Sequence, residues 1–231
     1  MPLNKYGKRI GSQNGEAGII RHIFDTIGEG DKTLVEIGFG HECNSANLLS
    51  NHGWRGWLFD ADHRNVVEAQ LRWPRVDAVH AFLTVENVNP YLRSSLIPKQ
   101  VDMLSIDIDG NDYWLWKAMR LKARLVVVEY NASFGPEESL AIRYKPDFDR
   151  MKTGNTAYHG ASLTALSRLA ERRGYDLIGC EGSGVNAFFL RRGLSGEFRK
   201  LTPGEAYYPH RSRMDWRYAL KRLRDYELVK V

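Results

Sequence analysis

The chain has 231 residues and a formal net charge of +5, from 33 Lys and Arg against 28 Asp and Glu. Because 43% of the residues are hydrophobic and 26% are charged, the chain can bury a core, which excludes wholesale disorder and a collagen-like or repeat composition. We therefore predict a globular protein of medium size.

Cysteine content and apolar runs bear on the compartment. Cys43 and Cys180 are the two cysteines, too few for a disulfide framework or a zinc site of paired CxxC elements. Basic residues near the start precede no apolar segment, and no stretch approaches the roughly 18 apolar residues needed to span a bilayer. We expect a cytoplasmic protein with no export signal and no membrane span.

Positive charge is concentrated near the C-terminus. Residues 191–231 hold 11 Lys and Arg against 5 Asp and Glu. Such a segment can attract phosphate, an anionic glycan or a lipid surface, although a solvated helix face is the simpler explanation. Nucleic acid is only a weak candidate partner, and association between copies of the chain stays open.

Apolar periodicity predicts alternating helices and strands. A first helix, ending at Gly28, lies in GEAGIIRHIFDTIG, whose isoleucines have i, i+3, i+4 spacing. A β-α-β unit follows in TLVEIGFG, SANLLSNHG and GWLFDAD. The later elements are a third strand region in VDAVHAFLTV, a fourth strand in VDMLSIDID, a helix in DYWLWKAM and a fifth strand in RLVVVEY. Near-continuous apolar strands predict a parallel sheet covered on both faces, the α/β class.

The C-terminal part is less regular. Residues 133–158 have no stable period and are predicted as a loop, of a length that is usually functional or disordered. The next predictions are a helix in ASLTALSRLAERRGYD, two antiparallel strands in LIGCEG and NAFFLRR, and a basic helix in DWRYALKRLRDYELVKV. We predict one domain over 1–192, including the N-terminal helix, and a basic extension over 193–231 that is helical and packs on the same domain.

Polar residues stand where each predicted strand ends. One carboxylate at a strand end is usually a helix cap or a surface residue, but ligands of open α/β sheets bind outside the carboxyl ends of the strands. We therefore expect the site at this edge, with the set Glu36, Gly38 and Gly40, then Asp60 and Asp62, then Glu86 and Asn87, then Asp107 and Asp109, then Glu129 and Asn131.

The glycine turn EIGFGHECN lets a backbone approach a ligand closely. It lacks the third glycine of GxGxxG, and Glu36 would repel phosphate, so pyrophosphate binding is disfavoured. A carboxylate beside the glycines suits a cationic ligand carrying a ribose, whose hydroxyls Asp60 would bind.

The series VEIGFG, LFDAD, VDMLSIDIDG and VVVEYN resembles the class I S-adenosylmethionine-dependent methyltransferases over residues 12–192. More narrowly, SQNGE, ECN, DIDGNDYW, EYNASF, GASL and GVNAFF resemble an FkbM-related group. The resemblance implies a Rossmann-like, doubly wound, mostly parallel seven-stranded sheet with an antiparallel C-terminal strand. It also implies S-adenosyl-L-methionine as cofactor across the first two strand ends.

Site residues follow from the resemblance by position. Gly38 and Gly40 would line the methionine part of the cofactor, Asp60 would hold the ribose, and Glu86 with Asn87 would lie near the adenine. Glu42 stands where the family often has a third glycine, so the methionine tail falls to Gln13 or Asn44. The predicted cofactor set is Gln13, Glu36, Gly38, Gly40, Asn44, Asp60, Asp62, Glu86 and Asn87.

Methyl transfer to a hydroxyl needs a base, or a metal that lowers the hydroxyl's pKa. Asp107 and Asp109 lie at i and i+2, so they point to one side and their repulsion would raise one pKa. His159, before a helix that Ser162 would cap, is another candidate base or a packing residue.

A metal at the same edge stays open. Glu129 and Asn131 repeat the i, i+2 spacing on the neighbouring strand, and this acid-plus-amide set resembles the magnesium site of catechol O-methyltransferases. Hard oxygen ligands suit magnesium, but the same groups suit hydrogen bonds to loop backbone and substrate.

The predicted function is S-adenosylmethionine-dependent O-methylation of a small molecule or glycan, with a sugar favoured by the resemblance. Alternatives are an RNA or protein methyltransferase, a binding module without turnover, and an NAD oxidoreductase, against which the missing third glycine argues.

Overall fold

A computed structural model describes residues 3–211 and 215–231. The strands are β1 Thr33–Ile37, β2 Arg55–Asp60, β3 Val76–His80, β4 Gln100–Ile106, β5 Lys122–Glu129, β6 Leu140–Ile142, β7 Tyr175–Cys180, β8 Asn186–Arg191 and β9 Leu228–Lys230. The helices are α1 Glu16–Ile27, α2 Ala46–Asn51, α3 His63–Arg72, α4 Val88–Ser94, α5 Asp112–Ala118, α6 Leu163–Arg173, α7 Pro203–Ala206 and α8 Trp216–Arg222. Short 3-10 helices span Leu3–Tyr6, Ala132–Phe134, Arg150–Lys152 and Ser195–Glu197.

Seven strands form the central sheet in the order β3-β2-β1-β4-β5-β8-β7. The first five are parallel to one another, and β8 is antiparallel to both β5 and β7. Helical crossovers join the parallel strands. The α/β class and the Rossmann-like, mostly parallel sheet with an antiparallel last strand are confirmed.

Both faces of the sheet are covered, which explains the lack of polar alternation in its strands. In β5, Val126 and Val128 pack toward α4, α5 and α6, whereas Leu125 and Val127 pack toward α1, α2 and α3. Since successive side chains of a strand point to opposite faces, a strand buried on both sides needs an apolar residue at every position.

A second, two-stranded sheet lies beside the first and was not predicted. β6 and β9 pair antiparallel, with Leu140 opposite Lys230, over a small core of Phe134, Leu140, Ile142, Tyr158 and Leu223. The predicted loop over 133–158 thus contains a strand, and the predicted C-terminal helix extends only over Trp216–Arg222. Three-residue strands are too short to show a period, and their pairing joins segments far apart in the sequence.

In the described parts of the chain, every helix falls short of the length and apolarity that crossing a bilayer requires.

Candidate functional site

Two adjoining cavities open at the carboxyl edge of the parallel strands. The small cavity, about 280 Å³, and the large cavity, about 660 Å³, share Gly38, Gly40, Asp107 and Asp109. An outer groove of about 840 Å³ adjoins them at Asp109. Both cavities lie where the fold places ligands, outside the ends of β1, β2 and β4.

The glycine turn after β1 forms the boundary between the cavities. Gly38 has φ +74°, and a Cβ there would stand 1.8 Å from the carbonyl oxygen of Asp107, so a side chain does not fit. Gly40 has φ +52°, and no atom lies within 4 Å of the position its Cβ would take. The backbone at Gly40 is therefore open to a ligand.

Glu36 braces the loop that follows this turn. Its buried carboxylate accepts hydrogen bonds from the amides of Asn44 at 2.7 Å and Ser45 at 2.9 Å, and from the thiol of Cys43 at 3.1 Å. Burial raises the pKa of Glu36, although these donors favour its charged form. Asn44, whose side-chain amide donates to the Ser105 hydroxyl at 3.2 Å, lines the large cavity, as does Gln13 from the N-terminal segment.

Asp60, at the end of β2, organises the small cavity. Its carboxylate accepts hydrogen bonds from the amides of Gly40 at 2.9 Å and Asp62 at 2.7 Å, and from Asn65 Nδ2 at 3.1 Å. Asn65 Oδ1 and Asn111 Oδ1 are buried and have no hydrogen-bond partner in the described chain, and both residues line this cavity. A buried acceptor left unsatisfied costs about 1–3 kcal/mol, so the small cavity favours a ligand rich in donors.

Aromatic rings wall the same cavity. Phe82, 53% exposed, and Phe148 line both the small cavity and the outer groove. Phe148 lies against Gly110, whose Cβ would come within 2.4 Å of the ring. Glycine at 110 therefore allows the ring to pack at the cavity wall.

Three residues of the predicted cofactor set support the loops around the small cavity and do not line it. Asp62 caps α3, accepting from the amide of Arg64 at 2.9 Å, and its pairing with the Arg64 guanidinium lowers its pKa to about 2. Asn87 accepts from the amide of Thr84 at 2.7 Å and donates to the carbonyl of Phe82 at 3.0 Å. The exposed Glu86 accepts from the hydroxyl of Tyr144 at 2.6 Å.

Carboxylates cluster at the ends of β4 and β5. Oxygens of Asp107, Asp112 and Glu129 lie within 4.8 Å of one another. Asp112 accepts hydrogen bonds from the amides of Ile108 at 2.8 Å and Gly110 at 2.9 Å. Burial and the nearby Glu129 raise the pKa of Asp112 to about 8 and hold the pKa of Asp107 well above its usual range. A shared proton would relieve the repulsion among these three carboxyls.

Asp109 belongs to a second group, in which ligand atoms of Asp109, Glu129 and His159 lie within 4.8 Å of one another. It has φ +55°, rare for a residue with a side chain, in the turn that the Asp112 carboxylate holds. Its own carboxylate pairs with the guanidinium of Arg150, whose Nε donates to the carbonyl of Thr156 at 2.8 Å. Arg150 lines both the large cavity and the outer groove, and residues 146–152 form a wall of the site.

His159 lies behind Glu129. It is fully buried, and its Nδ1 is 3.5 Å from Glu129 Oε2. Asn131 Nδ2 donates to the carbonyl of His159 at 2.8 Å, and Ser162 caps α6 as expected. Glu129 lines the large cavity, whereas His159 is not among the residues that line either cavity.

Sequence reasoning missed Asn65, Asn111, Asp112 and Phe148. Asn65 lies five residues after Asp60 in the first turn of α3, so its position predicts a return toward that carboxylate. Asn111 and Asp112 are part of the DIDGND motif, in which only the first two acids, Asp107 and Asp109, were predicted as site residues. Phe148 had no signal, because it stands in a segment without period.

No family model matches the chain, and no curated protein matches it. Several solved structures are similar to the chain over about three quarters of its length. They include the N-terminal domain of EvdMO1 in the presence of SAH and D-fucose (13% identity, 77% of this chain and 83% of that one, TM-score 0.48). A SAM-dependent methyltransferase from Geobacter sulfurreducens in complex with S-adenosyl-L-homocysteine has 15% identity, 76% and 70% coverage and TM-score 0.45. The methyltransferase domain of bacterial CtHen1-CN has 11% identity, 75% and 96% coverage and TM-score 0.48. Because the sequence identities and TM-scores are this low, the chemistry of the site follows only from this chain's own contacts.

Proposed function

We propose that the protein is an S-adenosylmethionine-dependent methyltransferase acting on a hydroxyl of a small molecule or glycan, with a sugar favoured. The small cavity carries the proposal, because three side-chain acceptors, those of Asp60, Asn65 and Asn111, line it beside an open glycine backbone. A ribose supplies two hydroxyl donors and adenine an amine, which match these acceptors.

The remaining walls suit the rest of this cofactor. Phe82 and Phe148 offer apolar rings for a nucleobase to contact, and Asn87 holds Phe82 through its carbonyl. Gln13 and Asn44 would hold the amino-acid end in the large cavity. When bound, S-adenosylmethionine supplies an electrophilic methyl group on a cationic sulfonium. The acidic wall formed by Asp107, Asp109 and Glu129 complements that charge.

Asp107 and Asp109 are the proposed bases, since both line the large cavity. A carboxyl whose pKa is raised, as for Asp107, is a better proton acceptor than an ordinary one. Asp109 accepts a proton once an acceptor molecule displaces Arg150 from it. His159, buried behind Glu129, would position that carboxylate and not touch the substrate.

Magnesium stays an optional part of the proposal. Oxygen donors of Asp107, Asp112 and Glu129 come close enough for one ion, and hard oxygens suit it. Both oxygens of Asp112, however, already accept backbone amides, and Asp109 is paired with Arg150. These contacts leave fewer carboxylate oxygens open to an ion.

Calorimetric titration with S-adenosylmethionine and S-adenosylhomocysteine tests the cofactor site. Asp60→Asn should weaken binding at least about tenfold, the value of one charge-assisted hydrogen bond. Asp62→Asn is the matched control, an acid two residues away that caps α3 and should leave affinity unchanged. Phe148→Ala should also weaken binding. The Phe148 side chain accepts no hydrogen bond from the glycine turn, so this variant removes only a wall of the cavity.

Absence of binding in the wild-type protein would refute the cofactor, and equal effects of the two aspartate variants would refute the role of Asp60. With binding established, sugars and other hydroxyl compounds are screened by the release of S-adenosylhomocysteine, with and without a chelator. Loss of turnover on chelation would establish the metal.

A further inference from the structure

The outward face of α8 and the turn after it is a basic surface. We name it the α8 surface and define it by Arg217, Tyr218, Lys221, Arg222 and Arg224, all of which are exposed. Tyr218 is 58% exposed and stands one turn before Arg222, on the face that also carries Lys221. Residues 216–225 hold four cations and one carboxylate, that of Asp225.

Most of these cations have no carboxylate partner in the described chain. Arg217 is 3.7 Å from Asp215, whereas no ion pair or side-chain hydrogen bond within residues 3–211 and 215–231 involves Lys221, Arg222 or Arg224. Three other cations near this end of the chain are paired: Arg192 with Asp176, Arg199 with Glu205, and Lys200 with Glu171. Three cations without a carboxylate partner in the described chain therefore lie close together on the α8 surface.

Helix stability alone does not account for this concentration of charge. A helix C-terminus carries about half a negative charge, which balances only part of three cations within one turn, and like charges three or four residues apart destabilise a helix. Packing fixes α8 instead: Leu223 is fully buried, and the Trp216 ring lies where a Cβ on Gly135 would stand. The exposed face is thus free to serve a partner.

The α8 surface lies on the same edge of the sheet as the cavities. Helix α8 packs on the 3-10 helix Ala132–Phe134, which directly follows β5. Beyond it, Tyr226 stacks near Tyr158 with ring centroids 4.8 Å apart, and Tyr158 donates to the carbonyl of Glu227 at 2.9 Å. Glu227 also pairs with Arg143 and Lys145, which lie just before the wall segment 146–152.

We propose that the α8 surface binds an acidic oligosaccharide, whose carboxylate groups pair with Lys221, Arg222 and Arg224 and whose sugar ring packs on Tyr218. If this saccharide also carries the hydroxyl that receives the methyl group, the proposal names the substrate class of the proposed function and rests on that function. Binding to the surface itself requires only charge complementarity and the exposed ring.

Single-stranded RNA suits the α8 surface less well. RNA-binding grooves combine cations along the backbone with several aromatic platforms, one for each successive base. Tyr218 is the one large hydrophobic residue of the described segment 215–231 that is strongly exposed. One ring and three cations fit a short acidic chain better than a stacked strand.

Titration of the full chain with hexagalacturonate, a carboxylate-bearing oligosaccharide, tests this proposal. We expect binding that weakens with salt, because exposed charges are screened. The triple variant Lys221→Gln, Arg222→Gln, Arg224→Gln should bind about tenfold more weakly, the sum of three modest exposed pairs. Neutral maltohexaose should not bind at this surface.

A matched control removes the same charge elsewhere. Arg75→Gln, Arg93→Gln, Lys99→Gln changes three exposed cations near the amino ends of β3 and β4, on the opposite edge of the sheet, and should leave hexagalacturonate affinity unchanged. Equal weakening by the two triple variants would show binding by net charge alone and overturn the proposal.

Absence of hexagalacturonate binding, or tighter binding of a single-stranded RNA of equal charge that the first triple variant abolishes, would also overturn it. S-adenosylhomocysteine affinity is measured on the same samples and should not change in either triple variant. Failure of the saccharide with intact cofactor binding refutes this surface, whereas failure of the cofactor alone refutes the proposed function.

Discussion

The two glycines of the turn after β1 should have different roles: Gly38 is needed for the fold, and Gly40 leaves room for a ligand. Both have positive φ, so alanine at either costs about 1–2 kcal/mol in backbone conformation. At Gly38 the new Cβ would also lie 1.8 Å from the Asp107 carbonyl oxygen, where real contacts keep 3.0 Å. The turn must then move by at least 1.2 Å (3.0 minus 1.8) and strain the hydrogen bond from Asp107 N to Ile37 O.

We therefore expect Gly38→Ala to lower the free energy of unfolding by about 3 kcal/mol, adding overpacking to the conformational cost. Gly40→Ala meets open space and should cost about 1 kcal/mol at most, because alanine also restricts the unfolded chain. In a thermal scan the difference of about 2 kcal/mol corresponds to about 4–8 °C in Tm.

Cofactor titration gives a second, independent result for the same pair. Gly40→Ala places a methyl group at the boundary of both cavities, so it should weaken S-adenosylhomocysteine binding while the fold stays nearly as stable. Urea unfolding and calorimetry on both variants measure the two effects. Equal stabilities of the two variants, or wild-type affinity in a stable Gly40→Ala, would refute the reasoning.

Three further predictions concern stability. Asp102→Ala leaves the largely buried Arg124 guanidinium, 3.1 Å from that carboxylate, without its counter-charge and should cost about 3 kcal/mol in urea unfolding. Glu227→Gln breaks only exposed pairs and should cost much less; similar costs would contradict this. The pKa of Asp112 is raised to about 8, so the native state keeps a proton that the unfolded chain releases above about pH 4. Stability should fall as pH rises from about 4 to 8, by up to about 1.4 kcal/mol per pH unit, and Asp112→Asn should flatten that slope between pH 5 and pH 8; parallel slopes would be evidence against a bound proton. Leu223→Ala should cost about 2–5 kcal/mol if the C-terminal extension unfolds with the domain, and a separate early transition would show that it does not.

The central sheet could be predicted from the sequence because its signal is local. Most of its strands are apolar runs of five to eight residues that are bounded by glycines and acids and buried on both faces, whereas the edge strand β3 has exposed positions. The sheet of β6 and β9 could not be predicted, since neither strand exceeds three residues. Its stability comes from Leu223 and Tyr158, which meet only after the chain has folded.

The site was predictable in position but not in the role of each residue. Strand order brings the ends of β1, β2 and β4 together, so Asp60 and Asp107 fall on one edge for topological reasons. Asp62 looked equivalent to Asp60 along the sequence, yet a free amide at Arg64 makes it a helix cap. Such choices depend on which donors lie nearby in three dimensions, and a linear pattern does not contain that information.

The acids of this edge divide into two groups by the donors they accept. Glu36, Asp60 and Asp112 each accept two backbone amides from a neighbouring loop, so their first task is to hold loop geometry. Asp107 and Asp109 accept no backbone amide in the described chain and line both cavities. A buried carboxylate needs hydrogen bonds or a counter-charge, and the three carboxylates that hold loops receive hydrogen bonds from backbone amides. Asp107 has no such amide donors and the exposed Asp109 pairs with the Arg150 guanidinium, so these two acids can meet a proton, a cation or a substrate hydroxyl, and chemistry at this edge should depend on them first.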